Sequence, residues 1–180
     1  MHESQPLPIV YHGVDSSPAL LKTAASALQQ AGVAHHLQVA NLLHYTPTER
    51  FDLVALFGVL HHIPSFAERQ RLVHRAWAWT APTGLLAITL WLFYEQANWR
   101  ERIVPWEAAP PPYRNLALEP GDYLLDWRRD TAALRYCHYT DAEEAARLVD
   151  GLPLLADYRA DAANRYLLFR RGENADNPAG

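Results

Sequence analysis

Two apolar runs, Phe51–Phe57 (FDLVALF) and Leu85–Phe93 (LLAITLWLF), constrain this chain more than any other feature. Neither alternates apolar with polar residues, as a strand with one wet face does, so each reads as a strand covered on both faces. Between them lie Leu72, Val73, Ala76 and Trp77 at helical spacing, after a Ser65/Glu68 capping-box pattern, and Ala81-Pro82-Thr83-Gly84 stops that helix. Strand, helix and strand in that order imply a right-handed parallel crossover. The same unit stands upstream. Pro8–Val14 reads as a strand ending at Asp15, Ser16 or Ser17 caps a helix with Pro18 in its first turn, and Leu20, Leu21, Ala24, Ala25 and Leu28 form its apolar stripe. Gly32 ends that helix, and His36–Ala40 is a second strand ending at Asn41. The alternation predicts an α/β fold with a mostly parallel sheet and helices on both faces.

The second half is less regular. Glu95–Val104 reads as a helix, and Pro105–Pro120, with Pro110, Pro111 and Pro112 in a row, as a loop or lid. Tyr123–Trp127 and Ala133–Tyr139 read as short strands or an extended stretch, so 95–139 forms an insertion within one domain over 1–172. Thr140 and Glu143 repeat the capping-box pattern before a helix that Gly151 ends. Leu154–Arg159 and Arg165–Arg170, joined by a short polar turn, predict an antiparallel hairpin. The polar residues 173–180 read as a disordered tail.

Composition narrows the function classes. A formal net charge of −4 gives no basic footprint for autonomous nucleic-acid binding, yet leaves RNA open as a substrate reached through a local patch or a partner. The single cysteine, Cys137, cannot form an intramolecular disulfide and fits a reducing compartment. The longest apolar run falls short of the ~20 residues that span a bilayer, and Met1–Pro8 carries no basic-then-apolar leader. The expectation is a soluble, cytoplasmic protein without a membrane partner. His61-His62 and His35-His36 are adjacent pairs whose rings point in different directions, with no partners at helical spacing, so no metal site is expected.

Ligands of open parallel sheets bind beyond the carboxyl ends of the strands. After the first strand stands Gly13-Val14-Asp15-Ser16-Ser17, whose carboxylate can accept both hydroxyl hydrogens of a ribose. After the second stands Asn41-Leu42-Leu43, whose amide can give to and accept from the edge of an adenine. After the third stands Gly58-Val59-Leu60-His61-His62-Ile63-Pro64, where glycine lets backbone approach a ligand closely. In this order, YHGVDSSPALLKTA, FDLVALFGVLHHIP and WTAPTGLLAITLW resemble the second motif, the fourth motif and the following helix–turn–strand of the class I S-adenosylmethionine-dependent methyltransferases. The C-terminal hairpin is similar to that family's reversed final strand.

The resemblance implies a Rossmann-like sheet and S-adenosyl-L-methionine as cofactor. By it Asp15, with Ser16 beside it, holds the ribose, and Asn41 and Leu42 meet the adenine. Gly58 and Val59 lie beside the methionine portion, and His62 lines the acceptor side as a weak base. Two departures stand out. The family more often has an acidic residue at the Asn41 position. Nothing before Ile9 forms its first strand and Gly-x-Gly-x-Gly loop. That strand lies between the second-motif and fourth-motif strands, so its absence is expected to leave two unpaired interior edges. The expectation is a true start codon upstream. The rival is a truncated, non-catalytic remnant or partner subunit.

The acceptor is narrowed by a second resemblance. No Asp-Pro-Pro-Tyr type motif follows the third strand, and Cys137 has no nucleophile context. WLFYEQ, LEPGDYLLDW and LRYCHYTDAEEAARL resemble the wobble-uridine tRNA methyltransferases, which esterify a carboxymethyl group on the anticodon uridine. Pro120, Gly121, Asp122, Trp127, Arg135, Tyr136 and His138 occupy matching places, with Cys137 where that family has a second tyrosine. This implies Arg135 pairing with the acceptor carboxylate or a phosphate, Trp127 or Tyr136 stacking on a base, and His138 on the substrate side. A tRNA or small-molecule acceptor follows, with a small activating protein partner of the kind that the family's eukaryotic members use. Trp77, Trp79 and Trp91 read as packing residues, Trp99, Trp106 and Trp127 as lid or pocket residues, and Arg128-Arg129 and Arg170-Arg171 as solvated charge.

Overall fold

The computed structural model describes residues 8–127, 134–161 and 163–173. The chain divides into two compact units, Met1–Pro47 and Thr48–Gly180. The first is a single β-α-β crossover: β1 (Val10–Asp15), α1 (Pro18–Gln30) and β2 (Ala34–Val39). β1 and β2 are parallel, in register from Val10↔Ala34 to Asp15↔Val39. The local signals act as the sequence indicates. Ser17 is extended and its hydroxyl accepts the Leu20 amide, Pro18 starts the helix, and Gly32 turns the chain back at φ +67°.

The second unit continues with β3 (Phe51–Leu56), α2 (Phe66–Trp79), β4 (Thr80–Trp91), the short α3 (Ala97–Arg100), β5 (Ile103–Val104), β6 (Asp122–Asp126), β7 (Leu134–His138), α4 (Ala142–Leu148), β8 (Leu154–Ala160) and β9 (Asn164–Arg170). β3, β4, β9 and β8 form one sheet in that order, with β3 parallel to β4 and the hairpin strands antiparallel. β5, β6 and β7 form a separate antiparallel sheet. The core lies under the first of these sheets, where Leu86 and Ile88 of β4, Phe169 of β9 and Val73 of α2 are fully buried.

The two apolar runs differ in their surroundings. β4 has partners on both sides, as its sequence demands. β3 is a sheet edge: Val54 and Leu56 are buried, but Leu53 and Phe57 remain 58% and 55% exposed, so the run expected to be covered on both faces is covered on one. Among the described residues β1 likewise has a strand partner on one side only. Each unit thus carries a strand with one unpaired edge among the described residues.

Three local expectations are corrected. Glu95–Val104 is not one helix. A 3-10 turn at Phe93–Glu95, one turn of α3 and β5 replace it, because Trp99 and Ile103 must both reach the buried cluster of Phe93, Leu125 and Cys137. Ser65 does not cap α2 with its side chain, since it sits at φ +80°; the Glu119 carboxylate accepts the Phe66 amide instead, at 2.7 and 3.0 Å. An anion at the amino end of a helix is favoured by the exposed amides there. At α4 the cap is Asp141, which accepts the Glu144 amide at 2.8 Å; this moves the helix start one residue from the expected Thr140 and turns Glu144 inward.

Candidate functional site

In the first unit the informative residues sit at the carboxyl ends of β1 and β2. Asp15 ends β1, and one of its carboxylate oxygens accepts the Ser17 amide at 2.7 Å, which fixes the side chain at the strand–helix turn. The Ala40 amide donates to the Asp15 carbonyl, extending the parallel ladder to the residue before Asn41. Asn41 folds over its own turn, its side-chain oxygen accepting the Leu43 amide at 2.9 Å. Asp15 and Asn41 therefore share one end of one parallel pair. Ser16 and Asn41 are exposed, and Leu42 is half-buried.

In the second unit β3 leads to Gly58 at φ +67°, where an added Cβ would meet nothing within 4 Å. The Gly58 amide donates to the Thr89 hydroxyl of β4, which anchors this turn to the central strand. Val59 then enters the single 3-10 turn Leu60–His62, with Leu60 buried under it. The rings of His61 and His62, expected to diverge, lie side by side with centroids 4.0 Å apart because the 3-10 turn brings them together, and His61 also packs against Trp91 at 5.1 Å. Burial, and then the neighbouring His62, push His61 down to about 3. It is neutral, and its buried Nδ1 has no hydrogen-bond partner in the described structure. Burial also lowers His62 from the ordinary histidine value; a hydrogen bond to the Tyr136 carbonyl opposes this and the charge of Arg135 adds to it. His62 is thus mostly neutral at pH 7.

The residues around this turn come from three segments. Trp91 of β4, Trp99 of α3 and Trp127 after β6 touch one another, with centroid distances of 4.8, 5.3 and 5.9 Å. The Arg135 guanidinium lies 4.8 Å over Trp127, and that of Arg102 lies 4.7 Å over Trp99. Arg135 is exposed and the three indoles are half-buried. Trp91, read as a core residue, is a half-buried member of this surface cluster. Arg128 and Arg129 lie outside the described residues.

Strand parity separates the remaining candidates. In the β6–β7 register Asp122 faces His138 and Leu124 faces Tyr136, so these four share one face of the small sheet. Leu125, Arg135 and Cys137 share the other. The first face is buried. Asp122 accepts hydrogen bonds from the Tyr136 hydroxyl at 2.5 Å and from His138 Nδ1 at 2.6 Å, and His138 Nε2 donates to Glu144 at 2.8 Å. Burial alone would raise Asp122 and Glu144, but bonds from His138, with those from Glu119 and Tyr136 to Asp122 and from Arg69 to Glu144, hold both below the usual carboxylate range. Two ionised carboxylates only accept, so both ring nitrogens of His138 carry protons. Those bonds outweigh the burial that would lower His138, and its value is raised. Trp127 and Arg135 reach the surface, although Leu125 and Cys137 on the face of Arg135 are buried, whereas Tyr136 and His138 have polar ends committed to buried carboxylates. Cys137 is fully buried, and burial pushes its thiol up to about 12, which leaves it inert as a nucleophile.

Buried Arg69 and Glu144 and the half-buried Glu119 complete this set and were not singled out from sequence. Arg69 is fully buried and binds Glu144, Glu119 and the Ile63 carbonyl. A signal existed: Arg69 precedes Leu72, Val73 and Ala76 by three, four and seven residues, which puts a charge in the apolar stripe of α2. Among the described residues no three His, Cys, Asp or Glu side chains gather as a metal-binding set, and no helix is long and apolar enough to cross a membrane.

Residues 3–86 match the family model described as a methyltransferase domain. No curated protein matches the chain. Among solved structures it is similar to an S-adenosylmethionine-dependent methyltransferase from Methanosarcina mazei, at 14% identity and a TM-score of 0.64, over 92% of this chain and 83% of that one. It is similar to another from Clostridium acetobutylicum, at 10% identity and 0.64, over 91% and 84%. The N-methyltransferase NodS from Bradyrhizobium japonicum, solved with S-adenosyl-L-homocysteine, matches at 13% identity and 0.53, over 90% and 76%.

Proposed function

The chain has the fold of S-adenosylmethionine-dependent methyltransferases and carries a methyltransferase-domain match over residues 3–86, and from that premise we propose that it methylates a carboxylate-bearing acceptor, the carboxymethyl group of a tRNA wobble uridine. The observation that carries the donor side is the pairing of Asp15 and Asn41 at one end of the β1–β2 ladder. The first unit's residues fit the nucleoside part of the donor: a carboxylate with one oxygen beyond its Ser17 bond suits two ribose hydroxyls, and the Asn41 amide suits an adenine edge. When bound, S-adenosylmethionine supplies an activated methyl group on a sulfonium, so positioning contributes much of the rate. The acceptor side is supported by Arg135, whose guanidinium lies 4.8 Å over Trp127 and can pair with a carboxylate, while the indole cluster offers a stacking surface. A carboxylate is anionic at neutral pH and has no proton to lose. Neutral His62 at the edge of this surface then serves as contact more than as base.

Calorimetric titration of S-adenosyl-L-homocysteine tests the donor site. Micromolar binding is expected, weakened roughly 10- to 100-fold in Asp15→Ala, the loss of one or two hydrogen bonds to a charged group. Undiminished binding in Asp15→Ala would remove Asp15 from the site. A complete lack of binding would favour the second reading, a non-catalytic partner subunit.

The acceptor side is tested with an anticodon stem-loop carrying a carboxymethyluridine. Arg135→Ala should lower kcat/KM by roughly 100-fold, as expected for losing one charge-assisted pair, and the wild-type rate should be level between about pH 6.5 and 9 because no base is needed. A rate rising tenfold per pH unit, or an Arg135→Ala variant of full activity, would reject the carboxylate acceptor.

A further inference from the structure

The Leu60–His62 turn is gripped from two sides by a single set of buried charges. On one side Arg69 Nη1 donates to the Ile63 carbonyl at 2.9 Å, directly after the turn. On the other, His62 is bonded to the Tyr136 carbonyl of β7. The Tyr136 hydroxyl donates to Asp122, Asp122 also accepts from His138, and His138 donates to Glu144. Glu144 is held by Nε and Nη2 of Arg69 at 3.1 and 2.8 Å, and so the circuit closes on the residue where it began. Its members come from α2, β6, β7 and α4, and none of the four residues at its centre (Arg69, Asp122, His138 and Glu144) is more than 8% exposed.

An arrangement of this kind is a poor way to gain stability. Buried ion pairs roughly break even against apolar groups of the same volume, and what they add is direction. The guanidinium is planar, and its donors here meet three separate segments: the turn at Ile63, the loop at Glu119 and the helix at Glu144. A shift of the turn by more than the tolerance of a hydrogen bond breaks one of these contacts inside the protein, where water does not replace it.

We infer that this closed circuit fixes the His61–His62 turn against β7, which makes Arg69, Glu144 and His138 positioning residues for the acceptor side although none of them meets a substrate. The acceptor-side role of His62 rests on the function proposed above. The mechanical coupling does not. Through the circuit, α4 and the Pro120–Gly121 turn, both remote in sequence from β3, set where the ring of His62 stands. Gly121 has φ +94°, and an added Cβ would come within 2.5 Å of the Tyr139 carbonyl, so the turn that delivers Asp122 to His138 is itself restricted to glycine.

The test is nuclear magnetic resonance of the whole chain with labelled histidine, with His62→Asn used to assign the His62 signal. The groups that face His62 are His61 on its own turn, and Arg135 and the Tyr136 carbonyl on β7. Arg69→Lys keeps the charge but loses the fork. If the circuit positions the turn, His62 loses its ring contacts to β7 in this variant and its titration midpoint rises toward the ordinary 6.5. A purely electrostatic role predicts a midpoint identical to wild type, and that result overturns the inference. Should Arg69→Lys fail to fold, His138→Gln provides the same reading, since it keeps a side chain of similar length and an amide donor while breaking the bridge between Asp122 and Glu144. An unmoved His62 in a folded His138→Gln protein likewise overturns the inference. In either variant kcat for methyl transfer should fall with the Kd for S-adenosyl-L-homocysteine unchanged. A moved His62 in the variants, beside a wild-type chain with no transferase activity, would uphold the coupling and reject the function. An unmoved one in an active enzyme would do the reverse.

Discussion

Arg69→Met should destabilise the chain by about 3–5 kcal/mol, the cost of leaving buried carboxylates without their partner. Methionine matches the volume and apolar stem of arginine, so packing is largely kept and the loss is electrostatic. Glu144 would retain only His138, Glu119 would retain the Phe66 amide, and the Ile63 carbonyl would lose its donor. Chemical denaturation at pH 7 measures this directly. A loss below about 1 kcal/mol would mean that water or a neighbouring donor reaches these groups. The double variant Arg69→Met/Glu144→Gln should recover part of the loss, because the amide oxygen still accepts from His138 while no carboxylate is stranded beside the missing guanidinium.

His61→Leu should flatten the acid side of the stability profile. His61 stays neutral in the folded chain down to about 3, whereas in the unfolded chain it takes up a proton near 6.5. Its contribution is therefore intact above pH 6.5 and is lost progressively as pH falls toward 3. At 1.36 kcal/mol per pH unit the full span is on the order of 5 kcal/mol. Leucine also removes a buried, unpaired Nδ1, so at pH 7 the variant should equal or exceed the wild type. Other groups bound the window. His138 has a raised value, so its contribution is complete below 6.5 and is lost as pH rises through its folded value. Asp122 and Glu144 have lowered values, so theirs are present above 3.8 and 4.5 and are lost as pH falls through the folded values. Wild-type stability should peak near pH 6.5, with the slope between 6.5 and 4.5 markedly reduced in His61→Leu. Parallel slopes for both proteins over that interval would show that His61 is reached by water.

The sequence was informative where local chemistry decides the outcome. Pro18 and Gly32 bound α1, the polar turn joins the hairpin, and uninterrupted apolar residues make β4 a central strand. It was misleading where a distant partner decides. Ser65 and Glu68 have the residues of a capping box, but the amino end of α2 is capped by Glu119, far along the chain. Thr140 and Glu143 suggested a second box, and Asp141 took the position because Glu144 is needed inside. The segment after β4 has helical composition, yet the demands of Trp99 and Ile103 on a shared apolar cluster cut it into short pieces. At the candidate site, strand-end logic singled out Asp15, Asn41 and Gly58, and the structure has Asp15 at the end of β1, Asn41 shortly after β2 and Gly58 shortly after β3. The alternation of β7 was also readable, and it alone divides Arg135 from Tyr136 and His138. What no periodicity could supply was the list of carboxylates awaiting those two side chains.

The one-sided pairing of β3 governs how its backbone meets water. In a parallel ladder with one neighbour, alternate amides of an edge strand bond to that neighbour and the others face outward. Deuterium should therefore enter Phe51–Leu56 in a two-residue rhythm, quick at one position and slow at the next, while β4 exchanges slowly throughout because each of its edges is occupied. Asp52 is the only charge along β3, and the exposed Leu53 lies on the same strand. An open edge so thinly guarded recruits other strands as protein concentration rises. Solubility, more than fold stability, is then the property most sensitive to whatever polypeptide next lies alongside β3.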